Sequence, residues 1–166
     1  MEEQNYNIGE YVYYVALGIC KVTDFVNMSG EDFIVLVSVN EKNPLKIFVP
    51  LSNQDQLANI NEPLTKDDIN KVLNATYKDI EWNTNKRERQ EQFMQILHGT
   101  NFVDIISLII CLDKRNKQLH EEKKRLSTFD GEIFKKACRL CEESIAYAFD
   151  MDDESANKYF LDHVNL

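Results

Sequence analysis

The hydrophobic pattern of this 166-residue chain changes period once, and that single switch limits its architecture more than any motif does. Up to Pro50, short β-branched and aromatic runs are separated by turn residues. From Thr65 onward the apolar residues recur at helical spacing. Strands gathered at one end and helices at the other predict an α+β chain, with no βαβ crossovers and no parallel sheet. At 43% hydrophobic residues the chain can bury a core, either as one domain or as two small ones. The switch divides it into a β-rich part, residues 1–62, and a helical part, residues 63–166.

In the first part, Tyr11 to Val15 forms one strand run, and Gly18 opens a second through Val22 to Val26. Asn27-Met28-Ser29-Gly30 signals a turn, Phe33 to Val39 a nearly continuous apolar strand, and Asn40 to Pro44 another turn. Leu45 to Val49 follows, between two prolines. Proline cannot donate to a ladder, so this run suits an edge strand. Four short strands with tight turns predict a small antiparallel SH3/Tudor-like partial β-barrel. Residues 51–63 read as a polar connector.

The helical part opens with clear start signals. Thr65 is placed to cap, Asp68 to complete a capping box and Leu64 to staple against Ile69, ahead of the stripe Ile69, Val72 and Leu73. A second helix carries Phe93, Ile96 and Leu97 and stops at Gly99. Thr100 or Asn101 can cap a third, with Phe102, Ile105, Ile106, Ile109 and Leu112, which is expected to run out at Lys114. Ser127 with Asp130 starts a fourth, through Ile133, Ala137, Leu140, Cys141 and Ile145. A last short helix follows Asp152 and Asp153 and buries Tyr159 and Phe160. Together these make a compact all-α domain.

Charge is unevenly placed. The net value of −9 argues against binding nucleic acid through bulk electrostatics. Residues 1–65 carry three lysines against nine carboxylates, whereas Lys114 to Arg125 carries six basic residues against two acidic ones. Lys86, Arg87 and Arg89 crowd a helix start, where the macrodipole disfavours cations, and an anionic partner explains that placement better than solvation does. The only tryptophan, Trp82, lies four residues before Lys86. It reads either as a core anchor or as a working surface residue.

Catalytic signatures are missing from the sequence. It has no glycine-rich phosphate loop, no G-x-S-x-G and no H-E-x-x-H, and no cysteine has a plausible histidine partner. Cys138 and Cys141 form a C-x-x-C without a second pair, inside a strong helical period, so core packing is favoured over metal. No cofactor or small-molecule substrate is expected. The longest apolar run, Ile105 to Leu112, is far short of a membrane span, and the M-E-E-Q-N-Y-N start is no secretory signal. These features point to a cytoplasmic protein.

With these residues in view, the chain resembles the CarD family of bacterial transcription regulators. Gly9-Glu10-Tyr11-Val12-Tyr13-Tyr14 followed by Gly18 is similar to the family's opening motif, and Val49-Pro50 to its strand ending in V-P. Trp82 through Arg89 to Ile96–Gly99, then Leu126, Ser127 and Asp130, resemble its helical domain. The resemblance implies a non-enzymatic regulator. Its β domain would dock on the RNA polymerase β subunit by edge-strand addition through Lys46, Ile47, Phe48 and Val49. Its helical domain would contact promoter DNA at the upstream edge of the bubble, through Trp82, Lys86, Arg87, Arg89, Lys114, Arg115, Lys123, Lys124 and Arg125. Such a protein would act in the cytoplasm, at the nucleoid through polymerase. Well-known relatives place their tryptophan three residues nearer the glycine, where this chain has Asn85. The rival reading is an adaptor that docks on polymerase without functional DNA contact.

Overall fold

The computed structural model describes residues 6–39 and 42–166. It divides into two compact units, one ending at Pro63 and the other running from Leu64 to Leu166. The first is an antiparallel sheet and the second is all helix, so the architecture is α+β.

The sheet is built from β1 (Tyr11–Tyr14), β2 (Gly18–Met28), β3 (Glu31–Ser38), β4 (Lys46–Pro50) and β5 (Ile60–Asn61), in the order β4-β3-β2-β1-β5. A two-residue turn sets the β2–β3 register. Ser29 and Gly30 both take positive φ (53° and 82°), the geometry of a hairpin whose twist matches its strands, and Met28 pairs Glu31 across it. The ladder shifts between Val22 and Asp24, leaving Thr23 as the extra residue of a bulge. On one face Val12, Cys20, Val22, Ile34, Leu36, Val49 and Ile60 form the buried core of this unit.

The connector expected over residues 51–63 is structured. It holds a single helical turn, α1 (Gln54–Leu57), capped by Asn53, and then β5, which pairs Tyr14 with Ile60 and Tyr13 with Asn61. Two residues show no alternation, so the fifth strand carries no sequence signal. The turn expected at Asn40 to Pro44 falls partly outside the described residues.

The second unit comprises α2 (Lys66–Leu73), α3 (Lys86–Leu97), α4 (Phe102–Glu121), α5 (Thr128–Phe149) and α6 (Asp153–Val164). Each starts at a side-chain cap, namely Thr65, Asn85, Asn101, Ser127 and Asp152. Thr65 and Asp68 form the full capping box, and the Thr65 bonds hold the Asp68 carboxyl below its ordinary range. Hydrogen bonds at the α6 cap do the same to Asp152.

α4 is the centre of this unit. Ile105, Ile106, Leu108, Ile109 and Leu112 are all essentially inaccessible, so its first half is covered all round. The helix does not end at Lys114. It continues to Glu121, so Lys114, Arg115 and Lys117 ride on its last two turns, and only Lys123 to Arg125 belong to the following loop. Among the described residues, no helix is long and apolar enough to cross a membrane.

Candidate nucleic-acid and protein interfaces

Trp82 reaches its position along an extended segment pinned to α4. The Tyr77 hydroxyl donates to the carbonyls of Val72 and Leu73 at the end of α2. The Lys78 amide donates to the Ser107 hydroxyl (3.0 Å), and Lys78 Nζ pairs with Asp104 at 2.7 Å. From Ser107 to Arg115 is about 12 Å along a helix, and the four residue steps from Lys78 to Trp82 span about 13 Å when extended. The segment therefore runs beside α4 and delivers Trp82 to Arg115. Between them lies a groove of about 210 Å³, lined by Lys78, Ile80, Trp82, Lys114, Arg115 and Gln118 among others.

The indole is half-buried. Its ring centroid lies 6.0 Å from that of Phe93, edge-on, and the guanidinium carbons of Arg89 and Arg115 lie 4.7 and 5.2 Å from it. Anchor and surface residue thus turn out not to be exclusive. Trp82 packs on the α3 core residue Phe93 while it lines an open groove.

Arg89 differs most from its expected place. It is 8% exposed, and all three guanidinium nitrogens are occupied. Nε donates to Asp130 Oδ1 (3.3 Å), Nη2 to Asp130 Oδ2 (3.1 Å) and Nη1 to the Asn83 carbonyl (2.9 Å). Asp130 is also buried, and accepts a 2.7 Å hydrogen bond from the Ser127 hydroxyl. A direct DNA contact by Arg89 is therefore corrected to an internal one. Its sequence spacing carried the signal, since Arg89, Phe93 and Leu97 fall at i, i+4 and i+8 on one buried helix face. Asp130 went unrecognised as a site residue because its partner lies 41 positions away.

The bridge joins the first turn of α3 to the first turn of α5. Lys86 and Arg87, three and two residues before Arg89, and Lys123 to Arg125, just before α5, accordingly belong to the same end of the unit. Of the cations expected to contact DNA, Arg87 pairs with Glu91 (3.4 Å), and Lys124 with Glu122 (3.6 Å). Among the described residues Lys86, Lys114, Arg115, Lys123 and Arg125 have no ion-pair partner, and Arg115 Nε is buried without a hydrogen bond. Asn85 is the α3 cap, accepting from the Glu88 amide.

In the β unit, β4 is an outer strand. It pairs Val37 with Lys46 through Phe33 with Pro50 on its β3 side, and no described strand flanks its other side. Lys46 and Phe48 are exposed, with the lysine ammonium 5.5 Å from the phenyl centroid, Ile47 is half-buried, and Val49 is in the core. Leu45 and Leu51 extend the exposed apolar surface at both ends of the strand. An open ladder flanked by apolar side chains suits strand addition.

No group of three or more potential metal-binding side chains gathers among the described residues. Burial pushes the Cys138 thiol up to about 12 and that of Cys141 well above its ordinary value, which disfavours the thiolates that metal or catalysis would need.

Fold and geometry together define a class, in which a small β unit with an open outer strand is followed by a helical unit bearing a tryptophan–arginine cluster. Residues 6–61 match the CarD-like/TRCF RID domain family. The match lies within the β unit, which is thus similar to an RNA polymerase-interacting domain of the CarD-like kind. No curated protein gives a significant match.

Proposed function

We propose that the protein is a transcription regulator that docks on the β subunit of RNA polymerase through β4. From there its helical unit contacts promoter DNA at the upstream edge of the bubble and modulates open-complex stability. The observation that carries the docking is the open edge of β4, inside a domain family that interacts with RNA polymerase. Backbone hydrogen bonds to an added strand would supply the affinity, with Lys46, Ile47 and Phe48 beside them. Val49 faces the core and turns its backbone to Ile34 of β3, so its part is to hold β4 in place.

For the DNA contact, support comes from Trp82 at the groove and the unpaired cations Lys86, Lys114, Arg115, Lys123 and Arg125. Arg87 and Lys124 add exposed, solvent-screened pairs that phosphate can displace. An apolar wedge at an unstacked step offsets part of an unstacking cost of a few kcal/mol. Docking on polymerase raises the local DNA concentration to roughly millimolar, so a net-acidic protein can use a small basic surface. The protein would work in the cytoplasm, at the nucleoid, without a cofactor.

The adaptor reading is favoured by one observation, the extent to which Trp82 is covered. Co-purification with polymerase tests docking, and open-complex lifetime with wild type and Trp82→Ala tests DNA contact. We expect association and a shorter lifetime for the variant. Failure to associate overturns the whole reading, and association with an unchanged lifetime leaves the adaptor.

A further inference from the structure

The helical unit buries one complete ion pair, and one of its members lies against the residue proposed to meet DNA. We propose that Arg89 is a positioning residue for Trp82, held by Asp130 and the Asn83 carbonyl so that the indole is presented in one orientation. This inference rests on the DNA-contact reading above and deepens it.

The fork of Arg89 is fixed from three sides. Asp130 takes two of its nitrogens and the Asn83 carbonyl the third, and Asp130 is itself held by the Ser127 hydroxyl and by its place in the first turn of α5. The guanidinium is then a rigid plane 4.7 Å from the indole centroid. The carbonyl bond also fixes the backbone one residue after Trp82. The arginine therefore constrains the side chain by contact and the main chain by hydrogen bonding. Asn83 is held further by its own side chain, which accepts from the Asn85 amide and donates to Glu88. Phe93, one helical turn after Arg89, limits the ring from another direction.

Fold stability alone does not require this design. A buried ion pair can often be replaced by apolar residues of similar volume with no loss of stability. A planar, bidentate cation beside the only tryptophan supplies orientation, which a pair of apolar side chains would not. Arg115, on the groove side at 5.2 Å, has no ion-pair partner, so of the two arginines at the ring Arg89 is the fixed one.

The test uses the full chain with Arg89→Met/Asp130→Leu, which keeps volume and removes both charges. Three measurements are made: Trp82 emission with acrylamide quenching, polymerase affinity and open-complex lifetime. We expect a red-shifted, more quenchable tryptophan and a several-fold shorter lifetime, with polymerase affinity unchanged. Wild-type emission, quenching and lifetime in the folded double variant would overturn the proposal. If the double variant does not fold, Arg89→Lys takes its place. It keeps the charge but loses the fork, and the same two outcomes decide. A changed tryptophan environment with wild-type lifetimes, both here and in Trp82→Ala, leaves positioning intact and removes the DNA reading instead.

Discussion

At the scale of the residue, Arg89 shows how one side chain can be read two ways until its surroundings are known. As a letter it is a cation in a basic stretch; in place it is half of a buried pair. Removing it alone leaves the Asp130 carboxylate buried and uncompensated, which costs about 3–5 kcal/mol. Urea unfolding followed by Trp82 fluorescence should show Arg89→Ala losing stability on that scale, whereas Lys86→Ala, on an exposed site, should stay near wild type. Cys138 gives a second residue-scale prediction. With its pKa raised to about 12, the thiolate fraction near neutral pH is negligible, and it grows only as pH rises toward that value. Alkylation of the native protein at pH 7.5, followed by mass spectrometry, should leave Cys138 and Cys141 unmodified, and unfolding in urea should expose both.

At the scale of the element, the helices repeat a local grammar, while the sheet depends on a partner it does not announce. Each helix of the second unit begins at a short polar side chain that accepts an amide hydrogen bond, and the starts at Thr65 and Ser127 are readable from three or four letters. α4 overran its expected end because its apolar stripe stops at Leu112 but the helix does not. Lys114 to Lys117 continue it on a solvated face, helped by the Asp113–Lys117 pair at 2.8 Å. β5 was invisible for the opposite reason, being two residues long and made a strand only by Tyr13 and Tyr14. For β4 the open edge makes a direct prediction. Ser38 donates to the Leu45 carbonyl and Leu51 to that of Asp32, so the alternate residues Lys46 and Phe48 turn their backbone to the open side. Phe48→Pro removes a donor there. Pull-down with polymerase should fail for this variant, while Phe48→Ala, which alters one exposed side chain, should weaken binding and retain it.

At the scale of the whole molecule, an acidic β unit and a helical unit with local basic character are carried on one chain. Under the proposed function the first supplies proximity and the second supplies a weak contact. Covalent connection is then what makes the weak contact effective, because separate pieces lose the intramolecular concentration. Inserting a protease site at Pro63–Leu64 and cleaving it should abolish the effect on open-complex lifetime, while the β fragment still co-purifies with polymerase. An undiminished effect after cleavage would show that the helical unit needs no tether.

The order of strands and helices, the turn at Ser29–Gly30, the helix starts at Thr65 and Ser127 and the edge character of β4 all follow from near neighbours along the chain. Period, turn chemistry and capping act over two to four residues, so a linear reading can recover them. The rest needed distance to be closed in space. Asp130 meets Arg89 across 41 positions, β5 finds β1, and Trp82 comes to Arg115 only because Lys78 is pinned to Ser107. Which cations stay free is decided the same way, since a carboxylate that neutralises a charge need not be near it in sequence. The letters from Trp82 to Arg89 name the chemistry available, and packing decides that Arg89 turns inward while Trp82 keeps one side on the groove.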